Sequence, residues 1–345
     1  MQINLKPTPS NIIIRMPNWI GDSIMASAII KDIRTKYPNS KITLLCQGAI
    51  HQLFLHNPFV DEVLQFKKPN GWIHRIHHFE LIDILQKGQY DLGILLPNSF
   101  SSAWWFYRGK VKNRLGYTGH NRSWLLNYPI PFPKNIEHQH LIQTYKCLIE
   151  PLGINLSNNK PELFLSEKEI FDAKELLNNE GIDWNAPIIG INPGAAYGSA
   201  KCWPPERFTA LCQKLLSKHQ LSIVFFGDSQ TSNLVRDICQ SLPKNVINLA
   251  GKTTLRQLMA LIAQCNAFLT NDSGPMHIAS ALQVPLVAIF GSTSEVKTGP
   301  YHNETVIHKK VECSPCFKRT CPIDFKCMKN IEIEEVYHEL LKLIS

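Results

Sequence analysis

The chain has 345 residues, 44% of them hydrophobic and 19% charged, a length at which two domains are expected rather than one core. Its 36 Lys and Arg against 28 Asp and Glu leave a net charge of +8, which suits an anionic partner. The basic residues are dispersed without a dense run, so no nucleic-acid partner is expected; no segment reaches the ~20 apolar residues of a membrane span, and the N-terminus lacks a signal-like apolar core, so a cytoplasmic location is expected.

In chain order, NIIIR (11–15) reads as a strand, residues 23–38 as an amphipathic helix stopped by Pro38, and KITLLC (41–46) as the next strand. YDLGILLP (90–97) is a strand, and 137–153 a helix ending at Gly153. The stretch 101–124 mixes aromatics with Arg108, Lys110, Lys112, Arg114, His120 and Arg122. An amphipathic helix with a solvated basic loop explains it, as does a surface for a sugar–phosphate acceptor or a membrane.

A polar stretch (153–163) reads as a linker, after which the pattern restarts. A helix (166–180) leads to strands at 187–194, 221–228, 267–274 and 284–291, each closing on Gly, Asp, Asn or Ser. Alternating strands and helices imply an α/β chain of two Rossmann-like domains with parallel sheets facing across a cleft. The boundaries are set at 1–157 and 158–345, with the last helix packing back on the N-terminal domain as one possibility. Ligands bind beyond the carboxyl ends of such strands, so their polar ends are the places to look.

Two nucleotide signatures fail. AGKTT (250–254) resembles the end of a P-loop, but the spacing places Val246 where Gly is required, and no strand is followed by G-x-G-x-x-G. TNDSGPMHIASAL (270–282) closes a strand and opens a helix, with Asp272 and Ser273 near the cap, Gly274 and Pro275 in the first turn, and His277 one turn in. Free N–H groups and the helix dipole there suit a phosphate, although a well-capped helix has the same look. NPGAAYGSAKCWPPERF (192–208) is a small-residue loop in which Lys201 supplies a mobile charge. Asp22, in RMPNWIGDSIMAS (15–27), sits at a strand-to-helix turn, where Asp is commonly a cap. A capping carboxylate still has a second oxygen to offer a hydroxyl proton, and both roles are expected of it.

Of ten Cys, six are scattered and read as reduced thiols. Cys313, Cys316, Cys321 and Cys327 form C-x2-C-x4-C-x5-C. Structural zinc sites usually pair two close couples across a longer loop. A zinc or iron–sulfur site and a loop of reduced thiols therefore both stay open, and no metal ligands are assigned.

Together, MPNWIGDSIMASAIIKDIRTKYP, the 192–208 loop, NDSGPMHIASALQVPLVAIFGSTS and CSPCFKRTCPIDFKCM resemble, in the same order, the lipopolysaccharide heptosyltransferases of glycosyltransferase family 9, which have the GT-B fold. The resemblance runs from about residue 11 to about residue 330 and is greatest to the type II enzymes. It implies an inverting transferase with an ADP-heptose donor on the C-terminal domain and a lipid A–Kdo–heptose acceptor on the N-terminal one. No cofactor or metal is implied, and a monomer, possibly peripheral on the inner membrane, is expected.

By the same resemblance Asp22 is the general base and Lys201 the phosphate-binding lysine. Tyr197, Gly198, Asp228, Thr253, Thr254, Asp272, Ser273, Gly274, Pro275, Met276 and His277 complete the donor site. Trp19, Gly21, Arg114, His120 and Arg122 are the expected acceptor contacts. Pro275 stands where the family often has a small or hydrophobic residue. The alternatives are a family-9 enzyme of type I or III, and a GT-B module that binds nucleotide-sugar or glycolipid without catalysis.

Overall fold

Ile12, Ile13 and Ile14 have no exposed face, since the strand that carries them, β1 (Asn11–Arg15), is paired on both edges and covered on both sides. Such a continuous apolar run is what a central parallel strand requires. The structure is a computed structural model that describes residues 2–67, 71, 77–302 and 304–344. It divides into two units, Met1–Phe164 and Leu165–Ser345.

The first unit adds β2 (Lys41–Gln47), β3 (Glu62–Phe66), β4 (Leu92–Leu95), β5 (Asn113–Tyr117) and β6 (Tyr128–Ile130) in the order β3-β2-β1-β4-β5-β6, all parallel. The second contains β7 (Ile188–Asn192), β8 (Ser222–Phe225), β9 (Ile247–Asn248), β10 (Ala267–Asn271), β11 (Leu286–Phe290) and β12 (Thr305–His308), also parallel. Their order is β12-β11-β10-β7-β8-β9. Counted from its own first strand, each sheet has the Rossmann order 3-2-1-4-5-6. Each therefore has a switch point between its first and fourth strands, where connections leave in opposite directions and open a crevice.

The expectation of two Rossmann-like parallel sheets is met, with local corrections. The first helix is Ile20–Lys36 rather than 23–38, because Trp19 is the extended N-cap residue. Asp22 is thus the third helical residue and not the cap; it sits in the first turn, where a negative charge complements the dipole. The 101–124 stretch holds more than a helix and a loop: helix Phe100–Arg108 is followed by β5, an interior strand of the sheet. That strand, like β3, β6, β9 and β12, escapes the hydrophobic pattern. NRLGY shows no clear alternation and β9 is two residues long.

The cores are separate. In the first unit Ile13, Leu45, Leu95, Trp105 and Phe106 pack together; in the second, Ile189, Trp203, Phe208, Phe225 and Met328 do. The last helix, Ile333–Ile344, buries Val336, Tyr337 and Leu340 in the second core.

Candidate active site

In the second unit the loops after β7 and β10 meet at the switch point. Asn271 accepts the Trp203 N–H at Oδ1 (3.0 Å) and donates from Nδ2 to the Pro193 carbonyl (2.6 Å). Asn192 donates to the Gly194 carbonyl (2.9 Å) and to Ser273 Oγ (3.3 Å). These two strand-end amides replace backbone ladders that stop there, and they hold the 193–203 loop against the start of helix Gly274–Ala281. Trp203, fully buried, anchors the far end of the loop.

Lys201 comes out of this loop and donates to Asp272 Oδ2 at 2.5 Å, which also accepts the Thr293 hydroxyl at 2.5 Å. The side chains are 13% and 4% exposed, so the ion pair is largely dry. Lys201 Nζ also lies 4.8 Å from the centroid of the Tyr197 ring, a cation–π contact. Beside it, Ser273 is the N-cap residue of the eight-residue helix Gly274–Ala281, yet its side chain makes no capping bond. Its hydroxyl is engaged with Thr270 (2.9 Å), so the first-turn N–H groups receive no hydroxyl cap from it. Pro275 lies in that first turn, where its missing N–H is harmless. Met276 and His277 are buried; the side chain of Met276 is in the core, leaving it only backbone to offer a ligand.

The remaining donor-site expectations fall on the adjoining strand ends. Asp228 follows β8 and accepts from the backbone N–H and hydroxyl of Thr231 (2.9 Å each), closing a turn. Thr231 packs on Gly194, where an added Cβ would come within 2.6 Å of it, so this turn abuts the 193–203 loop. Gly251 donates to the Gly227 carbonyl at 2.9 Å, which brings the 250–254 segment alongside. Thr254 requires a correction: its hydroxyl caps helix Leu255–Ile262 in a reciprocal capping box with Gln257, leaving Thr253 as the less committed of the two.

In the first unit the loop after β1 is braced from below by Arg15. This side chain is 1% exposed and donates to the Met16 carbonyl, to Asn18 Oδ1 (2.5 Å) and to the Leu45 carbonyl (3.5 Å), with its guanidinium 4.6 Å from the Phe66 centroid. Burial pushes its pKa down to about 10, well above any physiological pH, so the charge persists. Ser23 Oγ donates to the Pro17 carbonyl at 2.9 Å and closes the turn from the helix side. Trp19 is then exposed, while Gly21 and Asp22 are half-buried. Burial, reinforced by the negative charge of Asp22, holds the Tyr145 hydroxyl well above the ordinary tyrosine range. Sequence reasoning missed Arg15 and Tyr145: a lone Arg ending a strand and a Tyr within a helix have no local signal.

Two expected acceptor contacts are corrected. Arg122 is fully buried, donating to the carbonyls of Tyr117 (2.9 and 3.1 Å), Pro97 (2.6 Å) and Ser99 (3.2 Å). Arg114, on β5, donates to the carbonyls of Leu125 and Val111 (2.6 Å each) and lies over the Tyr107 ring. Both guanidiniums brace the 118–127 loop from inside and do not face solvent as free cations. His120, in that loop, is exposed.

The Cys-rich segment runs past the donor half of the site. Ser314 Oγ donates to the Gly291 carbonyl (2.5 Å) and Phe317 N–H to that of Ser292 (2.7 Å). The Tyr197 hydroxyl donates in turn to the Phe317 carbonyl (2.7 Å). All ten cysteines are free thiols. Cys327 is buried, which raises its pKa, and Cys321, Cys313 and Cys316 lie near enough to act in the same direction. Among the described residues no three His, Cys, Asp or Glu side chains are arranged to hold a metal ion.

Two Rossmann-ordered units, one with a phosphate-type helix mouth and lysine at its switch point and the other with a carboxylate at its own, define a glycosyltransferase. The sequence profile of glycosyltransferase family 9 (heptosyltransferase) matches residues 78–326, and the chain belongs to that family. Among its relatives, lipooligosaccharide heptosyltransferase 2 of Haemophilus influenzae is 31% identical over 312 residues, 88% of this chain and 89% of that protein. Lipopolysaccharide heptosyltransferase 2 of Escherichia coli K12 is 30% identical over 313 residues, 86% and 87% of the two chains. The solved structure of E. coli ADP-heptose LPS heptosyltransferase II superposes with a TM-score of 0.82 at 28% identity, covering 97% of this chain and 98% of that one. The fold is accordingly GT-B.

Proposed function

We propose that the chain transfers L-glycero-D-manno-heptose from ADP-heptose onto the first heptose of a lipid A–Kdo–heptose acceptor, with inversion at the anomeric carbon. The observation that carries this reading is the Lys201–Asp272 pair (2.5 Å) beside the helix start at Ser273, at the switch point of the second sheet. Relatives named heptosyltransferase 2 at about 30% identity support the choice of donor and acceptor.

In this scheme Asp22 takes the proton of the acceptor hydroxyl as its oxygen bonds to the anomeric carbon. The bond from that carbon to the diphosphate breaks, and ADP leaves with the electron pair. Lys201 and the N–H groups of the first turn after Ser273 meet the charge that develops on the leaving group, so the chemistry proceeds without a metal. Asp272 and Thr293 hold the lysine in position. Asp228 and Thr253 reach the nucleotide side, Tyr197 and Gly198 the phosphates, and Trp19, Gly21 and His120 the acceptor.

A monomer at the cytoplasmic face of the inner membrane completes the reading. No helix among the described residues is long and apolar enough to cross a membrane. Phe100, Trp104, Tyr107 and Trp124 form a chain of ring contacts 6.0 to 6.3 Å apart, with Tyr107 and Trp124 exposed and Arg108 over Trp104. Aromatic rings edged with arginine suit the headgroup level of a bilayer, where a lipid-borne acceptor lies.

The test is transfer from ADP-heptose to heptosyl-Kdo2-lipid A by wild type and by Asp22→Ala. A loss of roughly a hundredfold or more in the variant is expected. Equal activity in both moves the base elsewhere. Wild type that binds ADP-heptose but transfers nothing points to a type I or III acceptor. Full biological function in Asp22→Asn favours a binding module.

A further inference from the structure

We infer that Arg319, presented by the Cys-rich segment, is a second cation for the diphosphate of the donor, working beside Lys201. The inference rests on the donor-site reading above. It begins with how firmly the segment is seated. The Ala200 N–H donates to the Arg319 carbonyl at 3.0 Å, next to the Tyr197 bond to Phe317 (2.7 Å). Gly198 has φ +153° and lies so close that an added Cβ would come within 2.3 Å of the Arg319 carbonyl oxygen. The backbone of Arg319 is thereby fixed to the loop that carries Lys201.

Its side chain follows. The guanidinium lies 5.3 Å from the centroid of the Tyr197 ring, and Lys201 Nζ lies 4.8 Å from the same centroid. Sharing one ring puts the two cations within about 10 Å of each other. They differ in what neutralises them. Lys201 is paired with Asp272, so the pair is close to neutral, whereas Arg319 is exposed and has no carboxylate partner among the described residues.

A departing nucleoside diphosphate carries two to three negative charges. A neutralised lysine and a helix start equivalent to roughly half a positive charge leave most of that unmet. A guanidinium held flat against an aromatic ring keeps its N–H fork pre-organised for phosphate oxygens. This also gives the Cys-rich segment a role: it is the arm that delivers the arginine.

The experiment measures binding of ADP and of adenosine to the full chain for wild type, Arg319→Ala, Arg319→Lys and Lys318→Ala, together with KM for ADP-heptose. Arg319→Ala is expected to weaken ADP about tenfold or more and to raise the donor KM in step, with adenosine unchanged within about twofold. Arg319→Lys recovers part of the loss. Lys318→Ala, which removes an exposed neighbouring charge, changes ADP binding by less than about twofold. Unchanged ADP binding in Arg319→Ala overturns the inference. So does a parallel loss of adenosine, which marks a collapsed loop, and Arg319→Lys checks for this because it keeps the bulk. If wild type itself binds no ADP, the donor-site reading falls and this inference with it.

Discussion

Lys201 and Asp272 show how a buried ion pair ties stability to a functional position. With the pair largely dry and Thr293 as the other partner of Asp272, Lys201→Ala leaves a nearly buried carboxylate with one hydroxyl for company. Breaking such a pair costs about 3–5 kcal/mol. Lys201→Ala is therefore expected to melt well below wild type, and Lys201→Ala/Asp272→Asn to regain much of the stability without the transfer activity. Thermal unfolding and the transfer assay, run on the same four proteins of the cycle, separate the two effects. Arg122 makes the complementary case. Arg122→Met strands the buried carbonyls of Tyr117, Pro97 and Ser99, and a loss of about 3 kcal/mol or more in urea unfolding is expected from unsatisfied acceptors alone.

Among the elements, helix Glu167–Asn179 is held by one residue in two ways. Glu169 closes the capping box with Ser166, and its carboxylate takes both Nε (2.6 Å) and Nη2 (2.6 Å) of Arg256 from helix Leu255–Ile262. The hydrogen-bonded Arg256, against the cost of burial and helped by Ser166, lowers the Glu169 pKa from 4.5 to about 2. Because the folded-state value lies below the unfolded one, this stabilisation is complete above pH ~4.5 and is lost as the pH falls through about 2. Glu169→Gln is expected to lower Tm at pH 7 and to flatten its dependence between pH 5 and 2, with the two proteins converging at the acid end. Parallel melting curves offset by the same amount at every pH would rule this out.

At the scale of the molecule, each unit has its own sheet and its own core, and in the reading above only the second holds the nucleotide. ADP at about 100 times its Kd adds about 2.7 kcal/mol to the state that binds it. For a unit of this length that corresponds to roughly 5–10 °C in Tm. Calorimetry is expected to resolve two transitions, of which ADP raises one and leaves the other in place. A single transition that shifts as a whole would mean that the units unfold as one.

Much of this protein is local. The apolar runs of β1, β2, β7 and β10, the helices between them, and the polar residues that end the strands are written in stretches of a dozen residues, because strand burial and helix periodicity act over that distance. The stretches around Asp22, Lys201 and Asp272 were legible for the same reason: a strand-to-helix turn is a short-range event. What the tertiary structure decided is which of the polar side chains are free. Arg114 and Arg122 read as surface cations and turned out to be internal braces, since their partners are carbonyls far along the chain or across the sheet. Trp19, not Asp22, begins the first helix. Arg319 lies more than a hundred residues from Tyr197 and meets it only because the segment after β12 folds back over the β7 loop. A sequence carries charge and spacing; whether a charge is spent inside the fold or kept for a ligand depends on desolvation and on partners that only the closed chain brings together.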